Sequence, residues 1–398
     1  MLNMKKALFV IPFLMLTRTS FAQSFTKTIA RLTDTGQTTS YTPTFGEDND
    51  YTINSPSYTN NSNGTISDNV TGLMWQQVDG GEMTIENATI YCDNLILGGF
   101  SDWRLPNPIE SFSILNHQNN NPAMNTTFFT GSTAEYWWTN TYELNSTTKV
   151  WCTNAGGGIG NHPKSETISA GGIKRFHVRA VRDVSLPTTL ANHFTDNGDG
   201  TITDNLTELV WQKTPNTQTQ NWENALVYAE NLALANILDW RLPNIKELQS
   251  LNDESRTNPS VNPLFFPSIG VNNYWSSTSL PNQTTNAWYL NTQFGISTYS
   301  TKTTANYVLC VRGIPGTLSN SNFENELFDI HVFPNPFTSE LFLKNNSKTD
   351  YFELVNAFGK NIYAGKDIDK QDFSSLPNGI YFLKINSEQG KTLKLIKE

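Results

Sequence analysis

Cysteine is scarce in these 398 residues: Cys92, Cys152 and Cys310 are too few and too scattered for a disulfide scaffold or a zinc cage, both of which need closely spaced ligands. Histidine is nearly as rare, and His117, His162, His177, His193 and His331 have no metal-ligand spacing. Basic charge is short as well. Residues 23–325 hold 15 Lys and Arg against 26 Asp and Glu, about −11. Nucleic acid is thereby excluded as a natural partner, since affinity for phosphate backbones comes from clustered cations. Also missing are a metalloprotease helix, a nucleophile elbow and a phosphate loop, so the chain reads as non-enzymatic. Carboxylates are plentiful enough to leave a glycosidase pair open.

The first residues are of a different kind. Lys5 and Lys6 precede an apolar stretch from Ala7 to Leu16, and Ser20-Phe21-Ala22 supplies a small-x-small site. This pattern predicts a signal peptide over residues 1–22, cleaved after Ala22. Ten apolar residues fall short of the roughly 20 that a bilayer core requires, and no later run reaches that length, so no transmembrane segment is expected. The roughly 375 residues that follow are enough for two or three domains.

A duplication organises the body. At a shift near 137 the run from Gly64 to Gln77 matches that from Gly200 to Lys213, and Asp102–Asn107 matches Asp239–Asn244 residue for residue. Asn121–Phe129 then answers Asn258–Phe266, Trp138 answers Trp275, Trp151 answers Trp288, and Val178–Arg182 answers Val308–Arg312. Each copy predicts a hairpin feeding a strand that ends at Trp75 or Trp211. A helix follows, with Ile85, Ala88, Cys92 and Leu95, or Trp222, Ala225, Ala229 and Leu232, at helical spacing. A second short helix starts at Asn107 or Asn244, with Glu110 or Glu247 three residues on, as in a capping box.

Ten tryptophans invite a sugar-stacking reading, but eight of them match between copies (75 with 211, 103 with 240, 138 with 275, 151 with 288). Residues fixed at the same points of a repeated fold are expected in its core. Trp137, opposite Tyr274, and Trp222, opposite Ile85, are the freer candidates, so Trp137, Tyr274 and Trp222 are the predicted ligand-binding residues. The motif Trp103-Arg104-Leu105-Pro106 and its twin Trp240-Arg241-Leu242-Pro243 place a guanidinium among apolar neighbours, which predicts a structural clamp to a carboxylate or backbone carbonyls. Asp196 and Asp199 sit in a run that loosely suggests a calcium loop. Thr195 and Leu206 fall where its first and twelfth ligands belong, so a plain turn is favoured and no cofactor is expected.

These segments, with the stretch from Thr33 to Tyr51, resemble the Lcl C-terminal domain family, named for a bacterial collagen-like adhesin. The likeness runs twice over residues 31–313, as repeats at 31–184 and 190–313. The motif around Trp103 and Trp240 is also similar to that of C-type-lectin-like domains, which implies an α+β fold: two tandem C-type-lectin-like α+β repeats. The family implies surface attachment, with glycosaminoglycan binding in its namesake. An acidic body would repel sulfated polymers unless Lys174, Arg175, Arg179 and Arg182 formed a basic patch. In that family a helix cysteine is often paired with one in the final strand. Here Cys92 stands opposite Ala180 of its own copy and Cys310 opposite Ala229, leaving a Cys92–Cys152 bridge or free thiols; a Cys92–Cys310 bond would require the copies to share strands.

The last seventy or so residues read as short alternating strands broken by Pro-Asn, Phe-Gly and Asn-Gly turns, as in a small all-β immunoglobulin-like sandwich. They resemble the type IX secretion C-terminal sorting domain of Bacteroidota. Pro334, Asn335 and Pro336, then Gly359, then Asn378, Gly379 and Tyr381 fall in its three blocks. The resemblance implies passage through periplasm and outer membrane by the type IX machinery, removal of residues 328–398 by its signal peptidase near the 314–327 linker, and release or attachment to lipopolysaccharide. The whole therefore predicts a secreted or cell-surface adhesion protein, carbohydrate-binding in the leading reading. An extracellular polymer-acting hydrolase or a structural envelope component are its alternatives.

Overall fold

The computed structural model describes residues 25–166, 175–313, 331–344, 351–386 and 391–398. The predicted signal peptide with Ala22, the linker and Lys174 lie outside them.

Local chemistry behaves as the repeat predicts. Helices α1 (Ile85–Asn94) and α3 (Trp222–Glu230) bury Ile85, Ala88 and Cys92, and Trp222, Ala225 and Ala229. Helices α2 (Pro108–Ser113) and α4 (Ile245–Gln249) each open on a complete capping box, in which Asn107 or Asn244 accepts from the backbone NH of Glu110 or Glu247 and the glutamate accepts in return. The matched arginines hold those glutamates. Arg104 is bidentate to Glu110, with both contacts at 2.8 Å, and also grips Asp183; Arg241 holds Glu247 at 2.6 and 2.7 Å. The carbonyls of Pro106 and Pro243 accept from Asn140 and Ser277, tying each motif to the neighbouring strand. All eight matched tryptophans are buried.

The architecture corrects the expected α+β lectin-like pair. Strand accounts for 34% and helix for 11%, in four helices among the described residues. Five to ten residues each, these helices are too short to form a layer and serve as brackets on sheets. The strand-rich Asn, Thr and Gly sequences between them dominate instead. Each repeat has a four-stranded sheet, built from Tyr58–Asn60, Thr65–Asp68, Leu73–Gln76 and Val181–Asp183 in the first and from Phe194–Asp196, Thr201–Asp204, Val210–Gln212 and Val311–Arg312 in the second.

Both repeats also contribute to one seven-stranded sheet. Its order is Asn273–Ser279, Asn286–Asn291, Ile296–Thr301, Ile159–Pro163, Lys149–Asn154, Tyr136–Tyr142 and Phe176–His177, so two meanders meet edge to edge. At the seam Ser297 pairs antiparallel with Ile159. Gly157, at φ +102°, lies there so close to Trp288 and His117 that a Cβ would come within 3.2 Å of the indole. The core follows the sheet: Trp288, Leu280 and Ile245 of the second repeat cluster with Trp75, Phe112 and Trp151 of the first. The copies thus share a sheet without a disulfide; all three cysteines are free and buried.

Residues 28–54 run as a strap over this joint. Gln37 donates to the carbonyls of His117 and Ser279 and accepts from the Ser279 NH, while Asp48 accepts from Thr35 and Thr278. Beneath them the buried ammonium of Lys246 donates to the carbonyls of Asp34 and Ser113, at 2.8 and 2.7 Å. Burial lowers its pKa to about 8.

The C-terminal unit has a four-stranded sheet, Asn361–Gly365, Tyr351–Asn356, Gly379–Asn386 and Lys391–Lys397, and a two-stranded ribbon, His331–Phe333 with Phe342–Lys344. Its sorting-motif residues build it. Asn335, between Pro334 and Pro336, donates to the Lys394 carbonyl and accepts from the Ile396 NH; Gly359 turns at φ +73°; Asn378 and Gly379 lead into a strand where Tyr381 donates back to the Pro377 carbonyl.

Candidate ligand-binding site

The three aromatic residues singled out by their mismatch are all enclosed. Trp137 is 2% exposed, Tyr274 1% and Trp222 not at all. The Trp137 indole donates to Asp79, the Tyr274 hydroxyl to the Ile269 carbonyl, and the Trp222 indole to the Ser276 carbonyl. None presents a face to a ligand, which corrects the surface role assigned to them. A mismatch of tryptophan with tyrosine or isoleucine is a change between large core residues, so it carried no information about exposure. Asp196 and Asp199 are spent within their turn. Asp196 pairs with Lys213 at 2.6 Å and accepts from the Gly198 NH, and Asp199 accepts from the Thr201 NH and hydroxyl. Of the prospective basic patch, Arg179 is buried and Arg182 is bound to Asp102.

The repeats differ where Tyr136–Trp138 and Asn273–Trp275 run beside the segments ending in Phe176–His177 and Asn306–Tyr307. In the first repeat Tyr136 and Phe176 are neighbours across parallel strands, and their rings stack at 4.7 Å and 13°. Phe176 continues onto Trp138 at 4.7 Å, and the place is filled. Underneath, Asp79 gathers Trp137, Ser132, the His177 Nδ1 at 2.9 Å and the buried Arg179 at 3.7 Å. Burial works to raise the Asp79 pKa. The His177 hydrogen bond, the Arg179 charge and Ser132 overcome it and bring the value down to about 2.

In the second repeat the equivalent of Phe176 is Asn306 and that of Tyr136 is Asn273. Two short amides cannot fill the space of two stacked rings, and a recess of about 250 Å³ opens. Five amide-bearing residues line it, Asn272, Asn273, Asn291, Gln293 and Asn306, together with Thr219, Val271, Ala305 and Tyr307. The strands fix these groups. Asn273 and Asn291 are register partners, and the Asn291 Nδ2 donates to the Asn273 Oδ1 at 2.8 Å while its own oxygen accepts from the Gln293 NH. Asn306 is pinned through its backbone, which exchanges two hydrogen bonds with Gln220. It is 3% exposed, and its Nδ2 has no partner within the protein. A buried donor without a partner costs about 1–3 kcal/mol, so this group is primed for an acceptor. Behind the lining, Tyr274 and Tyr307, ring centroids 5.8 Å apart, belong to an apolar cluster with Leu309 and Ile269, and Leu309 stands where the first repeat has Arg179.

A larger recess of about 440 Å³ lies at Leu190–Asn192 against Thr203–Asn205 and Glu208. Its acids are engaged. Asp204 accepts from the Leu206 NH and the Thr207 hydroxyl, and Glu208 pairs with Lys27 at 3.2 Å. The smaller recess is therefore the better site, because Asn306, whose side chain keeps a buried donor without a partner, is among its lining residues. Among the described residues no cluster of His, Cys, Asp and Glu has the arrangement of a metal site.

Comparison with known proteins agrees with the repeat and with the separate tail. The model of the Lcl C-terminal domain matches residues 64–182 and again 200–312, and that of the secretion system C-terminal sorting domain matches 331–398. No curated protein matches. A solved structure of PorZ, an essential bacterial surface component of the type IX secretion system of Porphyromonas gingivalis, is 13% identical; the match covers 63% of this chain but only 29% of that one, and its TM-score of 0.16 carries no argument. No helix among the described residues is long and apolar enough to cross a membrane. The chain belongs to the Lcl C-terminal domain family, in two copies ahead of a type IX secretion sorting domain, and is a protein exported to the cell surface or secreted.

Proposed function

We propose that this exported protein is a non-enzymatic binding module and that the recess of the second repeat takes a neutral carbohydrate. The observation that carries this reading is the recess lined by Asn272, Asn273, Asn291, Gln293 and Asn306, with the Asn306 Nδ2 buried and unpartnered beside it. Amides supply donor and acceptor side by side, as vicinal sugar hydroxyls require, and the Tyr307 ring offers an apolar edge for a sugar face. No cation is among the lining residues, and the surrounding body is acidic, which favours an uncharged glycan over a sulfated one. Attachment to lipopolysaccharide concerns the exported chain's anchoring and is independent of this site.

The test is an array of neutral and sulfated glycans probed with the full chain. Binding to neutral members that is lost in Asn306→Phe supports the proposal. Binding only to sulfated members, or equal binding by the variant, contradicts it. An array without any binder, together with capture of an envelope protein, would favour a structural role.

A further inference from the structure

Among the contacts between the C-terminal domain and the body, one charged side chain sits at a chemically distinct spot. Lys394, in the strand Lys391–Lys397, reaches the C-terminal end of α3, where its ammonium donates to the carbonyl of Glu230 at 2.9 Å and to that of Leu238. It also lies 3.5 Å from the Glu230 Oε2. The last carbonyls of a helix have no partner within it and carry the negative end of its dipole, so a cation is stabilised there.

The strap completes the surroundings. The Tyr51 hydroxyl donates to the other carboxylate oxygen of Glu230 at 2.7 Å and so fixes its orientation. Gly46, at φ +110°, passes so close that an added Cβ would lie 3.1 Å from the Glu230 side chain. Next to it, Phe45 packs on Phe382 of the sorting domain, ring centroids 3.8 Å apart. The Glu230 side chain is 3% exposed, and burial pushes its pKa up to about 7 against the opposing pull of Lys394. The first repeat has nothing comparable: its equivalent, Asp93, is exposed on α1.

We propose that the C-terminal end of α3, with Glu230, the Leu238 carbonyl and Tyr51, is a built binding site for the ammonium of a lysine side chain, filled in this chain by Lys394. Its geometry belongs to the body and the strap, and the sorting domain supplies only the occupant. Whatever separates the two therefore leaves an acceptor for another polypeptide's lysine.

The full chain carrying Lys394→Ala tests this by chemical rescue. Titrated with n-butylammonium, the variant should bind at least about tenfold more tightly than the native chain, the factor expected of one charge-assisted hydrogen bond. Isosteric n-butanol should bind no better to one than to the other, and adding Glu230→Gln should abolish the gain. Equal binding by native and variant chains, or equal binding of butanol, overturns the proposal. Should the variant not fold, the native chain decides. Under limited acetylation Lys394 should react about tenfold more slowly than the exposed Lys360, and equal rates would show the site to be empty.

Discussion

Two copies of one unit have kept their frame and diverged in chemistry at the end of the shared sheet. In the first, Phe176 and Tyr136 stack and close the end of the sheet over the polar group of Asp79, His177 and Arg179. In the second, Asn306 and Asn273 stand at the same two points, over Tyr274, Tyr307 and Leu309. Polar and apolar layers have changed places. The first copy hides its charges beneath aromatic rings, and the second covers aromatic rings with amides. Duplication lets one copy bear stability while the other gives up packing for a recess, and the shared seven-stranded sheet lets the first support the second.

This contrast can be broken at several points. The largest effect is expected from Arg241→Ala, which strands the buried Glu247 and undoes the α4 capping box; unfolding monitored in urea should give a loss of about 3–5 kcal/mol. The matching Arg104→Ala should lose less, because the Arg104 side chain is 30% exposed and solvent can replace part of the contact. Phe176→Ala should cost about 3 kcal/mol, by removing the plug of the first copy, and leave glycan binding unchanged.

Acid should separate the copies next. Since the folded Asp79 carboxyl is depressed to about 2 from an ordinary 3.8, its contribution is complete above about pH 4 and disappears as the pH falls through 2. Asp79→Asn should be less stable by roughly 2 kcal/mol at pH 6, with the difference closing towards pH 2, as urea midpoints against pH would report. The second copy has Pro215 at the equivalent position and lacks this buried carboxylate. The smallest change in free energy is expected from Asn306→Phe, which restores the first copy's residue. Glycan affinity should fall at least about tenfold, or 1.4 kcal/mol, without loss of melting temperature.

What could be read from the sequence was local or repeated. The capping boxes are set by residues three apart, the arginine clamps by an apolar neighbourhood, and the core tryptophans by recurrence, and all three appear in the structure. The shared sheet was hidden because it depends on Ser297 meeting Ile159, a contact with no local signature. The balance of strand over helix was hidden too: the motif around Trp103 suggested a helix-bearing fold by analogy, whereas its helices are single brackets of a few turns. Trp137, Tyr274 and Trp222 differ from their counterparts in side-chain type but not in apolar character, so their mismatch between copies says nothing of exposure. Asn306 against Phe176 was the mismatch that changed both size and polarity, and it was available in the same alignment.

On the proposed reading a glycan would bind to the second repeat and not to the first. Hydrogen–deuterium exchange of the full chain with and without a neutral glycan that it binds addresses this directly. Exchange should slow at residues 271–273, 291–293 and 305–307 and stay unchanged at 135–136 and 175–177; slowing at the first copy's segments, or at neither set, would contradict the account.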